Sequence, residues 1–125
     1  MALTSDFREG IQARMKREPA FRRGMLREAV ERLLSGQVSL AKQLLRDYIN
    51  ATVGFPKLAA ATKFHVKTIH QMFGPKGNPT ASNLFEIVAY LQKAEGVRFE
   101  VWPRTAGLRK RKQRLPGKKR VASAA

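Results

Sequence analysis

The sequence contains no cysteine and only two histidines among its 125 residues. The absence of cysteine excludes disulfides, thiolate zinc sites and cysteine nucleophiles, and two histidines leave little material for a metal site. A paired acid, base and nucleophile is not visible among the nine scattered carboxylates. We therefore expect no enzymatic activity, no cofactor and no metal ion.

Long apolar runs are also missing from the sequence. No stretch approaches the roughly 20 apolar residues that a membrane-spanning helix needs. The N-terminal residues MALTSDFREG lack the basic-then-apolar order of a secretory signal. The sequence predicts a cytoplasmic protein that does not enter a membrane.

Acidic residues are scarce, with 9 Asp and Glu against 25 Lys and Arg, so the formal charge is +16. Nine of the basic residues and no acid lie between positions 104 and 125, which leaves 16 − 9 = +7 for the rest. This basic segment has few aliphatic side chains to offset chain entropy. We expect residues 103–125 to form a disordered basic tail, which either binds a polyanion or only aids solubility.

Apolar residues recur at helical spacing along the remaining chain, so the sequence predicts an all-α fold. Proline, glycine, serine and threonine residues indicate where each helix begins and ends. The expected helices lie between Ser5 and Pro19, between Pro19 and Gly36, between Ser39 and Gly54, from Pro56 to Ala61, from His65 to Phe73, and between Thr80 and Gly96. The predicted organisation is an N-terminal helical extension (1–38), a compact helical domain (39–102) and the tail.

The segment from Val97 to Trp102 is the one convincing strand. Val97, Phe99 and Val101 alternate with Arg98, Glu100 and Trp102, and a period of two is typical of a strand. A solitary strand leaves backbone groups unpaired and invites pairing with another chain. We expect a dimer contact or a partner-protein contact here; the alternative is a strap that lies extended against the protein's own helices.

The two short central helices have the spacing of a helix-turn-helix. Leu58 with Ala59 supplies an apolar and a small residue where the helices would cross, and Phe64 and Ile69 are apolar at the turn and at the centre of the second helix. Any two packed short helices produce similar spacing, so a purely structural pair is the alternative.

These residues carry a resemblance to the Xre/Cro-like helix-turn-helix regulators, and more narrowly to the small addiction-module antidote proteins of the HigA type. It covers roughly residues 40–101 and is carried by the segment LAAATKFHVKTIHQMFGPKGNPTASNLFEIVAYLQ. The matching residues are Leu58, Ala59, Thr62, Thr68, Ile69, Gly77, Asn78, Pro79, Thr80, Leu84, Ile87 and Leu91. The resemblance implies a lambda-repressor-like DNA-binding domain of five helices that forms a homodimer and represses its own operon. It also implies a possible RelE-like ribonuclease toxin as a partner.

Two positions depart from the pattern of these proteins. Lys63 stands where glycine is usual, and a left-handed residue with a side chain costs about 1 kcal/mol. His65 stands where a serine cap is usual, and the weaker cap costs about another 1 kcal/mol.

The candidate DNA-binding residues lie on the second short helix, on the preceding helix and in the loop that follows. Residues early in a recognition helix face base edges when the helix enters the major groove. The predicted base contacts are Lys67, Thr68, Gln71 and His65. The predicted phosphate contacts are Lys57, Lys63, His70, Lys76, Asn78 and Thr80. A solvated helix face is the alternative for each of them.

Three functional hypotheses follow. The first is a sequence-specific DNA-binding repressor, and the second is a toxin-neutralising module in which the strand and the N-terminal helices bind a protein. The third is a nucleoid- or RNA-associated protein in which charge alone drives binding. Residues 1–38 have three alternative roles. They cover the apolar surface of the DNA-binding domain, extend a dimer interface, or bind a partner protein.

Overall fold

The computed structural model describes the backbone of residues 2–105 and the side chains of residues 7–105. Within this range the chain forms six helices and no strand, which confirms the all-α prediction. The helices are α1 (Ala2–Arg17), α2 (Pro19–Leu34), α3 (Val38–Ala51), α4 (Phe55–Ala61), α5 (Val66–Met72) and α6 (Ala81–Glu95). Most of the predicted basic tail, residues 106–125, lies outside the described residues.

The ends of α6 follow the predicted capping chemistry. The Thr80 hydroxyl oxygen accepts a hydrogen bond from the Asn83 N–H at 3.1 Å, which satisfies one free donor of the first turn. Gly96 ends the helix with a left-handed φ of 77°, a conformation that suits glycine. The Val97 N–H then donates to the Gln92 carbonyl at 3.0 Å. Helix α3 begins at Val38, before the predicted cap Ser39.

One hydrophobic core joins all six helices. Met15 of α1 and Leu26 of α2 belong to the same buried cluster as Leu45, Ile69 and Leu91. The predicted boundary between residues 38 and 39 falls at the start of α3. The N-terminal helices therefore share their core with the helices of the predicted DNA-binding domain.

Only the C-terminal half of the predicted apolar face of α1 is buried. Met15 is fully buried and Ile11 is half-buried, but Phe7 is 68% exposed. At this level α1 turns Arg8 toward α3, where the guanidinium lies 3.4 Å from the Asp47 carboxylate. Phe7 therefore lies outside the core although it shares the four-residue spacing of Ile11 and Met15.

The predicted strand is absent from the described chain, in which residues 97–105 have no regular secondary structure. Phe99 packs against the core, and its N–H donates to Gln92 Oε1 at 2.8 Å. Val97 is half-buried, whereas Val101 and Trp102 are 71% and 65% exposed. Up to Phe99 the segment matches the alternative of a strap, because residues 2–105 contain no strand with which it could pair. Pairing with a second chain stays a prediction.

None of the helices described combines the length and the apolar character that crossing a membrane requires. The cytoplasmic location stays a prediction.

Candidate nucleic-acid interface

Helices α4 and α5 pack against the core through apolar side chains, which include the predicted Leu58 and Ile69. Phe55, Leu58, Ile69, Met72 and Phe73 are buried, and Phe64 is half-buried. Ile69 and Met72 are three residues apart, so both lie on the inward face of α5. The other faces of this short helix are left for solvent.

The turn between α4 and α5 is held by Thr62 rather than by a left-handed residue. The Thr62 hydroxyl donates to the Leu58 carbonyl at 2.9 Å, and its oxygen lies 3.5 Å from the Phe64 nitrogen as acceptor. All positive φ angles in the described residues belong to glycines, so Lys63 adopts an ordinary backbone conformation. The expected backbone strain at Lys63 is therefore wrong.

His65 is the residue that caps α5, and its side chain makes no capping hydrogen bond. This agrees with the weak cap expected from the sequence. The His65 side chain is exposed at the start of α5, where it is free to turn toward a ligand.

The outward face of α5 consists of exposed polar side chains. Lys67, Thr68, His70 and Gln71 are all exposed, as the prediction of a recognition helix requires. The His70 ring stacks on Phe55, with 4.3 Å between ring centroids and 25° between planes. This contact fixes the His70 ring against the start of α4, while Lys67 and Gln71 extend from the same short helix.

The loop between α5 and α6, residues 74–80 (the α5–α6 loop), is tightly packed on the end of α5. A Cβ atom added at Gly77 would lie 2.0 Å from the Gln71 carbonyl oxygen and 2.4 Å from that of Met72. Real atoms do not approach so closely, so only glycine fits here. The exposed Lys76 and Asn78 flank Gly77, and they are thereby held close to the end of the helix that carries Gln71.

A buried lysine of α3 holds the same loop from beneath. Lys42 is 7% exposed, and its ammonium donates to the Gly74 carbonyl at 3.2 Å and to the Gly77 carbonyl at 2.6 Å. The sequence analysis missed this residue. The signal was present, because Lys42 lies on the buried stripe of α3 with Leu45 and Ile49, where an apolar residue is expected.

The surface around α4 and α5 has an unbalanced positive charge. No acidic residue occurs between Asp47 and Glu86, and the interval 48–85, here named the lysine region, contains four lysines. One of them, Lys63, lies 3.7 Å from the Glu86 carboxylate while remaining 75% exposed. An exposed pair of this kind contributes little to stability.

The remaining lysines of this region form no ion pair with any residue that the structure describes. Lys57 lies in the first turn of α4, Lys67 on α5 and Lys76 in the α5–α6 loop. Thr80, also predicted to contact phosphate, has its hydroxyl oxygen engaged in capping α6. The predicted contacts thus fall on three consecutive elements that share one core.

A second polar cluster, which the sequence analysis did not predict, joins α2, α3 and α6. The Glu95 carboxylate accepts hydrogen bonds from Arg22 Nε at 2.9 Å and from the Tyr48 hydroxyl. Arg22 also donates to the Met15 carbonyl at 3.0 Å. An open groove of about 380 Å³ runs beside this cluster and is also lined by Arg23.

The cluster perturbs the pKa values of its members. Burial acts to raise the pKa of Glu95, but the hydrogen bonds from Arg22 and Tyr48 and the charges of Arg22 and Arg23 outweigh it, so the pKa is lowered. Burial, together with the hydrogen bond to Glu95, raises the pKa of Tyr48. Glu95 is therefore a carboxylate and Tyr48 a neutral donor at neutral pH. The arrangement ties the N-terminal helices to α6.

Comparison of the chain with protein-family models, with curated proteins and with solved structures finds no match. The geometry and charge of the described residues, together with the resemblance in residues 40–101, are the basis for a proposed function.

Proposed function

We propose that the protein is a sequence-specific DNA-binding regulator of transcription that acts without catalysis. In this proposal α5 is the recognition helix and enters the major groove. The observation that carries the proposal is the outward face of α5. Lys67, Thr68 and Gln71 are exposed there on a helix whose inward face is fixed by Ile69 and Met72.

The side-chain chemistry suits base recognition. Lysine donates to the acceptors of guanine, and glutamine can pair with adenine through two hydrogen bonds. His65, exposed at the start of α5, is proposed as a further base contact. Positions near the start of a recognition helix are those that reach base edges in docked helix-turn-helix proteins.

The unpaired lysines are proposed to bind the DNA backbone. Lys57, Lys76 and Asn78 are exposed on either side of α5 along the chain, and the lysine region contains no carboxylate that would compete with phosphate. Phosphate contacts set the orientation of a protein on the duplex, whereas base contacts read the sequence. Lys63, His70 and Thr80 already have protein partners, so we expect weaker contributions from them.

The proposed operator is the DNA upstream of the protein's own coding sequence. Autorepression and an antitoxin role are proposed on the resemblance alone. They add nothing to the chemistry of α5, which requires only a duplex whose bases match its side chains.

The test is binding to the upstream DNA and to a scrambled duplex of equal length. The variant Lys67→Ala/Gln71→Ala removes the two proposed base contacts, and each such contact contributes roughly 1 to 3 kcal/mol of discrimination. We expect the preference for upstream DNA to fall at least tenfold. Lys93→Ala is the control, because Lys93 is an exposed lysine in the last turn of α6, outside the lysine region.

A preference that is unchanged in the double variant would overturn the assignment of α5. Equal affinity of the unaltered protein for both duplexes would instead favour the charge-only hypothesis, in which the protein binds any nucleic acid.

A second proposal concerns the segment 97–102, as a contact with another copy of the chain. Val101 and Trp102 are adjacent, 71% and 65% exposed, and on backbone that forms no ladder. Exposed backbone and apolar side chains together favour strand pairing. We expect Val101→Lys to convert a dimer to a monomer in sedimentation equilibrium. A stable complex with a co-expressed toxin, with the free protein monomeric, would identify a protein-neutralising module instead.

A further inference from the structure

Lys42 is 7% exposed, and its ammonium has no carboxylate partner among the described residues. Moving a charge out of water is costly unless hydrogen bonds replace its hydration. Lys42 obtains these from the carbonyls of Gly74 and Gly77, at 3.2 and 2.6 Å. Both acceptors belong to the α5–α6 loop, so this buried charge is stabilised only when the loop has its observed shape.

The loop also packs on the end of α5, where the Gly74 N–H donates to the Gln71 carbonyl at 3.2 Å. The Gly77 N–H donates to the Gly74 carbonyl at 3.0 Å, which closes one tight turn around Pro75 and Lys76. Lys42 binds the carbonyl at each end of that turn. The cation thus acts as a clamp that comes from a helix more than thirty residues earlier in the chain.

We propose that Lys42 is a positioning residue for DNA binding by the α5–α6 loop. By binding the carbonyls of Gly74 and Gly77, it holds Lys76 and Asn78 at a fixed distance from α5. The loop can then contact phosphates while α5 contacts bases of the same site. This inference rests on the proposed function. A loop that is ordered in advance loses less conformational entropy on binding than a free loop would.

A positive charge fixed beneath the loop also strengthens the attraction for phosphate on its outer side. Arg46 adds to this charge, because it lines the same small cavity of about 210 Å³ as Lys42, Gly74 and Pro75. The clamp and the proposed phosphate contacts therefore form one electrostatic unit across α3 and the loop.

The test is a double-mutant cycle between Lys42→Met and Lys76→Ala, measured as affinity for upstream DNA. Methionine retains most of the buried stem but removes the donor. We expect Lys76→Ala to reduce affinity about fivefold in the unaltered protein and less than twofold with Met at position 42. A merely structural role for Lys42 would leave the cost of Lys76→Ala the same in both backgrounds, and that result would overturn the proposal.

Amide hydrogen exchange without DNA separates this inference from the proposed function. We expect Lys42→Met to accelerate exchange in residues 74–78 and to leave α2 unchanged, whether or not the protein reads a DNA sequence. Unchanged exchange in the loop would contradict the clamp. Lys42→Gln keeps a donor in the site and is measured in the same way if the methionine variant does not fold, with partial protection of the loop expected. Protection no better than in free peptide would then overturn the clamp. Lys93→Met serves as the charge control.

Discussion

Positive charge has different roles in two regions of the protein that share one hydrophobic core. The helical hairpin of α1 and α2, here named the arginine hairpin, has eight basic residues between positions 7 and 34, and seven of them are arginine. Each of these arginines lies within 4.0 Å of a carboxylate. In the lysine region all four basic residues are lysine, and one of the four has such a partner.

The difference follows from the distribution of carboxylates, of which four lie between positions 7 and 34 and none between positions 48 and 85, and from side-chain chemistry. The planar guanidinium of arginine forms directed hydrogen bonds to carboxylates, whereas lysine is a compact, strongly hydrated point charge. Three of the seven arginines join helices to each other, as Arg22 does with Glu95 at 2.9 Å, and the other four pair with a carboxylate on or next to their own helix. The lysines of the second region remain available to a polyanion. Net charge alone would not have distinguished these two uses.

The largest expected effect is that of a glycine-to-alanine substitution on the free energy of unfolding. This effect should have opposite signs in the two regions. Gly77→Ala would place a Cβ 2.0 Å from a backbone oxygen, and we expect it to destabilise the protein by at least about 3 kcal/mol. Gly24→Ala, in α2, meets nothing within 4 Å, and alanine in a helix should stabilise by about 0.5 to 1 kcal/mol. Urea unfolding measures both; destabilisation by Gly24→Ala would show that the hairpin is packed more tightly than described.

The next largest effect on stability is expected at Glu95, the carboxylate that pairs with Arg22 of the arginine hairpin. Glu95→Gln removes the charge that faces Arg22 and Tyr48, and we expect the free energy of unfolding to fall by about 2 to 3 kcal/mol. Glu31→Gln makes the same chemical change at a pair with Arg27 that is exposed and 3.9 Å apart. That control should cost less than about 0.5 kcal/mol. Equal losses would mean that the buried cluster is no stronger than a surface pair.

The same carboxylate, Glu95, should contribute to the pH dependence of stability. The pKa of Glu95 is lowered from its ordinary value of 4.5, so below that pH the unfolded chain binds more protons than the folded one. Its contribution to stability is complete above pH 4.5 and is lost as the pH falls through the folded pKa. We expect a flatter acid limb in thermal unfolding of Glu95→Gln. If the acid limb of the variant is as steep as that of the unaltered protein, other groups cause the loss of stability at acid pH.

The smallest effect is expected at Asp47, which faces the arginine hairpin from α3. Burial raises the pKa of Asp47 although the charges of Arg8 and Arg46 and the Gln12 side chain oppose the shift, and the buried Oδ1 atom accepts no hydrogen bond from a described residue. The carboxylate therefore costs stability at neutral pH. We expect Asp47→Asn to raise the free energy of unfolding by about 0.5 kcal/mol. A loss above about 1 kcal/mol would show that the contact with Arg8 outweighs burial.

Local signals in the sequence were sufficient for the helices and for the outward face of α5. Proline at the start of α2, threonine before α6 and glycine after it act within one turn of the chain, so they can be read without tertiary structure. The exposure of Lys67, Thr68 and Gln71 follows from the apolar spacing of Ile69 and Met72.

Features that depend on distant contacts could not be predicted in this way. The clamp of Lys42 on the α5–α6 loop, and the cluster of Arg22 with Glu95, each join residues that are far apart in sequence. The segment predicted as a strand, residues 97–102, forms no ladder with any described residue, because alternation predicts an extended segment and not the partner that a ladder needs.

The most direct test of the central claim compares two triple variants with equal loss of charge. One replaces Lys57, Lys67 and Lys76 with glutamine, and the other replaces Arg17, Arg23 and Arg27, whose side chains are 65%, 51% and 62% exposed. Affinity for the upstream DNA is measured across salt concentrations. We expect the lysine variant to reduce the magnitude of the slope of log affinity against log salt by about 1.8, at roughly 0.9 for each of the two proposed phosphate contacts, and the arginine variant to leave the slope unchanged. Equal reductions of the slope in both variants would contradict the assignment of free lysines to DNA and paired arginines to the fold.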